Sequence, residues 1–305
     1  MSRTLLGVIC GTVAAIAYGT NPLFSLNLYA IGLKPETVIF YRYSYALILL
    51  GITEKLAGKS LWLGWRTTAV LIGMGGLFSF SSGTLYESFL FMDAGIACSI
   101  LFLYPLMVAV IMVLFFKEKA SWLTFSCIAM ALAGMGLLYK GNGKETLSTV
   151  GLLFVTASAL SYALYIVWIW RFRLSSIPAA KLTFWILLGG TLLFFFIVCS
   201  TGLQPVPMTL SAWANTLGVA VVPTILPILF INISIKNIGP TYSAILGALE
   251  PVTALCIGVL AFHETMTPRI AAGCLLIMVA VISVTARPLL KNTNLHIIIT
   301  HFHHK

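Results

Sequence analysis

The sequence predicts an all-α integral membrane protein of ten transmembrane helices, arranged as two inverted-topology repeats of five. Three observations predict it. The 305 residues are 60% hydrophobic and 9% charged, with a mean hydropathy of +1.02. Ten apolar runs each come close to or exceed the roughly 20 residues needed to cross a bilayer. The second half of the chain also repeats landmarks of the first. A soluble domain carries about 25% charged residues; this chain lacks the polar side chains to cover a water-facing surface.

The runs cover residues 4–29, 37–54, 67–91, 95–116, 121–139, 148–170, 179–201, 212–235, 240–262 and 268–288. Backbone groups in hydrocarbon must bond internally, so only helices or a closed barrel are allowed. Barrel strands alternate apolar and polar residues. The stretch from Leu187 to Ser200 does not alternate, so the runs are helices. Run 1 contains Asn21-Pro22, where proline removes a helical hydrogen bond and frees a carbonyl. Run 2 holds Arg42. Run 3 is hydroxyl-rich, with Ser79, Ser81, Ser82, Thr84 and Tyr86, and ends near Glu87. Run 4 carries Tyr104 and Pro105, run 6 Tyr162, and run 7 Trp185. Run 8 is interrupted by Pro223 and Pro227 and followed by Asn232; run 9 contains Glu250-Pro251. These prolines are either kinks that line a substrate site or simple curvature tolerated in membranes.

Charge sets the expected direction. With the N-terminus in the cytoplasm, thirteen lysines and arginines fall on the inner side, and four (Lys34, Lys140, Lys144 and Arg269) on the outer side. That is a positive-inside bias. The expected location is the bacterial inner (plasma) membrane with both termini cytoplasmic. The net charge of +10 is scattered between apolar runs, which excludes the contiguous cationic face a nucleic-acid binder needs. The six cysteines lie inside apolar runs and form no CxxC, so no zinc site is expected. The tail, 291–305, carries His296, His301, His303 and His304; such tracts bind metals or are merely disordered.

The repeat divides the chain into 1–143 and 144–290. Pro105 precedes Glu118 by thirteen positions, and Pro251 precedes Glu264 by thirteen. Gly7, Thr12, Ala15 and Tyr18 match Gly151, Thr156, Ala159 and Tyr162 at a constant offset. Because five is odd, the second unit enters the membrane from the opposite side, as in many secondary transporters.

Gly239-Pro240-Thr241-Tyr242-Ser243, Leu249-Glu250-Pro251 and His263-Glu264 in the second unit resemble the drug/metabolite transporter superfamily, in particular its paired EamA-type domains. So do Gly95-Ile96-Ala97, Leu103-Tyr104-Pro105 and Lys117-Glu118-Lys119 in the first. The resemblance implies a ten-helix secondary transporter that exports amino acids or related metabolites. The first unit departs from the pattern, with Tyr104 where the second has Glu250.

The candidate substrate-binding or coupling residues are Asn21, Arg42, Ser82, Tyr86, Glu87, Tyr104, Tyr162, Trp185, Asn232 and Glu250. Pro22, Pro105, Pro223, Pro227 and Pro251 are the candidate kinks. Ionisable groups inside a membrane are costly and must face the bundle interior. Arg42 and Glu87 are expected to pair or to share a wet vestibule, with Arg42 either locking two helices or binding a carboxylate or phosphate. Glu250 either binds a cation or a proton, or bonds to backbone freed by Pro251. Tyr18, Tyr41, Tyr104, Tyr162 and Trp185 are candidate cavity walls. The stripe Gly7, Gly11, Ala15 and Gly19 reads as a packing surface. The expected partners are a small-molecule substrate, the lipid bilayer and protons as a coupling ion, in a monomer or homodimer. No cofactor or resident metal is expected, and the chain is not expected to be an enzyme. A membrane-embedded enzyme would need clustered carboxylates, and Asp93 is the single aspartate. A facilitative, channel-like permease is the other alternative.

Overall fold

The computed structural model describes residues 3–116, 122–139, 148–172, 174, 177–231, 233–234, 237, 246–247, 249–280 and 282–283. Asn232, Glu118, the 239–243 motif and the His-rich tail lie outside the described residues. Helical backbone falls within every apolar run, and the described residues contain no strand. Six helical stretches are long and apolar enough to cross a membrane by length and composition: Thr4–Ala30, Trp65–Ser88, Ala94–Phe116, Thr149–Ile169, Ala180–Thr201 and Leu210–Ile231.

The polarity is that of a protein dissolved in lipid. Helix α4 (Trp65–Ser88) buries Ser79, Ser81, Ser82, Thr84 and Ser88 while Phe80 is exposed. Phe115, Leu153, Phe196 and Leu260 also face outward. An apolar exterior around a hydroxyl-bearing interior is the reverse of a soluble domain.

Run 1 forms two helices, α1 (Arg3–Gly19) and α2 (Asn21–Ala30), broken at Thr20 by the Asn-Pro pair. α3 is Pro35–Leu56, with Pro35 and Glu36 in its first turn and Lys55 in its last, all favoured by the missing donor and the helix dipole. Run 4 crosses as one stretch, Ala94–Phe116, bent at the candidate kink into α5 (Ala94–Leu101) and α6 (Tyr104–Phe116). Pro105 cannot donate to the Leu101 carbonyl, and the chain turns just before it.

α7 is Trp122–Tyr139, α8 Thr149–Arg171 and α9 Ala179–Thr201. α10 (Leu210–Ala220) is capped by the Thr209 side chain, which accepts from the Ala212 N–H at 3.2 Å. It runs into a π-helical turn, Val221–Ile225, and continues to Ile231. α11 is Leu249–Phe262 and α12 Pro268–Ala280.

α1 packs on α11, and α3 packs on α9. The small residues of α1 make the first contact possible. A Cβ on Gly19 would lie 2.6 Å from the Glu250 carbonyl oxygen and from Thr253 Cβ. α4 meets α9 as closely, with Gly75 against the Ile186 carbonyl and Gly189 against that of Ile72.

Candidate functional site

Three prolines orphan three carbonyls, and the fate of each shapes the centre of the bundle. Pro223 removes the helical donor of the Val219 carbonyl; the Thr224 hydroxyl replaces it at 2.8 Å. Pro227 does the same to the Pro223 carbonyl, which accepts instead from Arg42 Nη2 at 3.2 Å. Pro22 removes the helical donor of the Tyr18 carbonyl at the break in the first run.

Arg42 is fully buried, and each of its three nitrogens is engaged. Nε donates to Thr224 Oγ1 at 2.7 Å and Nη1 to the Tyr86 hydroxyl at 2.9 Å. Tyr86 passes the link on, donating to Asn21 Oδ1 at 3.0 Å. This network fastens α3, α4, the α1–α2 break and the π turn together. Among the described residues no ion pair joins Arg42 to Glu87; the expected pair gives way to the carbonyl freed by Pro227. Glu87 stays half-buried at the end of α4.

Next to this network lies a small cavity of about 20 Å³, room for roughly one water-sized group, walled by Tyr18, Phe78, Ser81, Ser82, Leu85, Leu101, Tyr104, Tyr162 and Glu250. Its rings come from α1, α4, α6 and α8. Tyr104 meets Tyr162 edge-on with centroids 4.7 Å apart, and Phe78 lies 6.0 Å from Tyr162. Ser82 accepts from Tyr43, while Ser81 and Ser158 exchange hydroxyl-to-carbonyl bonds at 2.9 and 2.7 Å. Among the described residues the Glu250 carboxylate and the hydroxyls of Tyr18, Tyr104 and Tyr162 form no hydrogen bond. Glu250 is thus aimed at the cavity, not at backbone freed by Pro251.

Side-chain contacts fasten neighbouring segments at both ends of α9. At one end the loop after α9 is stapled to the turn after α2. Gln204 Oε1 accepts from the Lys34 N–H at 2.7 Å, and its Nε2 donates to the Gly32 carbonyl at 3.1 Å. Gly32 and Gly202 both hold φ near +90°, a conformation cheap only for glycine, and so let both turns fold back. Tyr41 completes the staple, its hydroxyl donating to the Gln204 carbonyl at 2.9 Å. At the other end Trp185 Nε1 donates to the Leu61 carbonyl at 2.8 Å. Trp185 therefore ties α9 to the α3–α4 loop and is not among the residues that line this small cavity. Its neighbours are Leu63, Leu174 and Leu182. α9 is long enough, at about 1.5 Å per residue, to set the two clamps about 25 Å apart.

On the Gln204 side Glu264 crosses from the loop after α11 to the start of α5. Its carboxylate accepts from the Ala94 and Gly95 N–H groups at 2.9 and 3.3 Å. Asp93 occupies the cap position itself but makes no side-chain cap bond. Burial pushes both carboxyls above the ordinary range; at Glu264 the Ala94 N–H opposes this and Asp93 adds to it. A raised carboxyl favours the fold at low pH and loses that contribution as pH rises. Asp93→Asn should therefore raise the melting temperature near pH 7 by about 1–3 °C, the size of a sub-kcal/mol change. The gain should vanish below about pH 4, near the ordinary Asp value. Paired melts at the two pH values check this.

Of the sequence candidates, Ser82, Tyr104, Tyr162 and Glu250 share the cavity. Asn21, Arg42, Tyr86 and Pro223 share the adjoining network. Pro22 and Pro227 act through the carbonyls they free, and Pro105 and Pro251 sit in the first turns of α6 and α11. Gln204, Leu61 and Thr224 carried no sequence signal, since two of them act through backbone carbonyls or loop geometry.

An inside-out helical bundle with a carboxylate-bearing cavity among its helices fits a membrane transporter. The chain belongs to the EamA-like transporter family, matching it over residues 5–140 and 149–286. It is 30% identical over 189 residues to the uncharacterized transporter sll1319 of Synechocystis sp., covering 60% of this chain and 56% of that one. The match thus spans just over half the length of that relative. It is 25% identical over 242 residues to the uncharacterized transporter YdfC of Bacillus subtilis, covering 77% of each. It is 26% identical over 274 residues to an uncharacterized transporter of Archaeoglobus fulgidus, covering 88% and 93%. A solved structure described only as a protein superposes with a TM-score of 0.66 at 20% identity, over 93% of this chain and 98% of that one; this is a likeness of fold.

Proposed function

We propose that the chain is a secondary carrier that exports a small metabolite, an amino acid or a related carboxylate or amine, across the bacterial inner membrane by alternating access. The observation that carries the reading is the matched pair of clamps. Tyr41 and Trp185 lie 144 positions apart, and their acceptors Leu61 and Gln204 lie 143 apart, close to the offset relating Gly7 to Gly151. One aromatic donor and one loop carbonyl thus recur in both units, at opposite ends of the bundle. Two upside-down units joined by one such contact at each end are what alternating access requires. The units are 1–143 and 144–290. With both termini cytoplasmic, the Gln204 face is outer and the Trp185 face inner. Arg42 serves the outer closure, and Glu250 holds the substrate's charge or a coupling proton.

The test is flux in reconstituted vesicles. Saturable uptake accelerated by solute preloaded on the far side is expected, with dependence on a pH gradient if Glu250 carries protons. Linear, non-saturating flux without such acceleration would contradict a carrier.

A further inference from the structure

We propose that the central cavity binds the primary ammonium group of an amine that lacks a carboxylate, held by Glu250 within the rings of Tyr18, Phe78, Tyr104 and Tyr162. The inference rests on the carrier reading and narrows its substrate class.

Among the described residues the Glu250 carboxylate has no hydrogen-bond partner; such a group withdrawn from water is costly, and a cation in the cavity relieves that cost. The surrounding rings add a second attraction, because a cation within about 6 Å of a ring centroid is drawn to the negative π face. Four aromatic walls around one carboxylate form such a trap.

The donor count favours a primary amine. An ammonium has three N–H donors. The Glu250 oxygens and the hydroxyl oxygens of Tyr18, Tyr104 and Tyr162 supply acceptors along the same wall. A quaternary ammonium has no N–H and would leave them without a donor. The cavity's size, about 20 Å³, matches an ammonium head and not a whole metabolite, so the remainder of the substrate enters only when one face opens.

The absence of a carboxylate follows from Arg42. Among the described residues no cationic side chain lines the cavity, and all three Arg42 nitrogens are already bonded to Thr224, Tyr86 and Pro223. A substrate carboxylate would meet the Glu250 carboxylate in the cavity, with the Arg42 nitrogens committed to other partners.

Equilibrium binding of labelled phenethylamine to the purified full-length protein at pH 7 tests this. Phenylpropionate, phenylalanine and trimethyl-phenethylammonium serve as competitors, and butylamine checks the need for a ring. Saturable binding is expected, displaced well by the two primary amines and at least tenfold more weakly by the other three. Glu250→Gln should weaken binding at least tenfold. Tyr104→Leu should weaken it severalfold while Tyr104→Phe, which keeps the ring, changes it little. That pair decides the matter if Glu250→Gln fails to fold. Displacement by phenylpropionate or phenylalanine as effective as by phenethylamine would overturn the proposal. So would undiminished binding by folded Glu250→Gln, or no saturable amine binding at all. Counterflow of phenylalanine or phenylpropionate without amine binding would sink the amine class and leave the carrier standing; absence of mediated flux for every solute would sink the carrier itself.

Discussion

Arg42→Leu unfastens the Gln204 face and costs about 2–4 kcal/mol of stability. The guanidinium joins three segments of chain directly, α3, α4 and the π turn, and leucine leaves the Tyr86 hydroxyl, Thr224 Oγ1 and the Pro223 carbonyl with one partner fewer each. Each unpaired buried group costs about 1–3 kcal/mol, and relief from desolvating the guanidinium offsets part of the sum. The lost bonds lie between the cavity and the Gln204 face, so the variant should open in that direction. Labelling of a cysteine at Leu85, on the cavity wall, should rise at least tenfold from the Gln204 face. Unchanged labelling and melting temperature would show that the network closes nothing.

Gly19→Val should have an effect of similar size through packing alone. A Cβ there meets the Glu250 carbonyl oxygen and Thr253 at 2.6 Å, and a main-chain oxygen cannot turn aside as a side chain can. α1 must then leave α11, which carries Glu250 and Tyr18 apart. Overpacking of this kind costs about 1–3 kcal/mol or more. The expected result is a lower melting temperature together with loss of transport. Gly73→Ala, at a position with nothing within 4 Å of the added carbon, should leave both unchanged.

Much of the fold was legible in the sequence because lipid imposes a simple pattern. Long apolar runs and scattered basic loops leave little choice but helices. The breaks were legible where proline made them: Pro22 at the α1–α2 joint and Pro223 at the π turn. Pro105 is likewise a candidate kink, and the turn falls at residues 102–103, just before it, since proline's effect falls on the preceding turn as well as on itself. The site was only half legible. Glu250, Tyr104 and Tyr162 announced themselves as polar or aromatic residues inside spans, and they meet at one cavity. Arg42 announced itself too, but its partner did not. Opposite charges at similar depth suggested Glu87, whereas an orphaned carbonyl on a third helix won. Backbone acceptors have no letter in the sequence. For the same reason Trp185 read as a cavity wall, although its partner is the Leu61 carbonyl.

In the proposed carrier the two related units meet at one clamp on each face of a shared cavity. The most direct measurement places a single cysteine at Leu101, on the cavity wall, in a background without the native cysteines, and applies a membrane-impermeant maleimide from either side. Trp185→Phe should raise labelling from the Trp185 face alone, and Tyr41→Phe from the Gln204 face alone. If both substitutions opened the same face, or neither opened any, the clamps would not be alternating closures and the claim would fail.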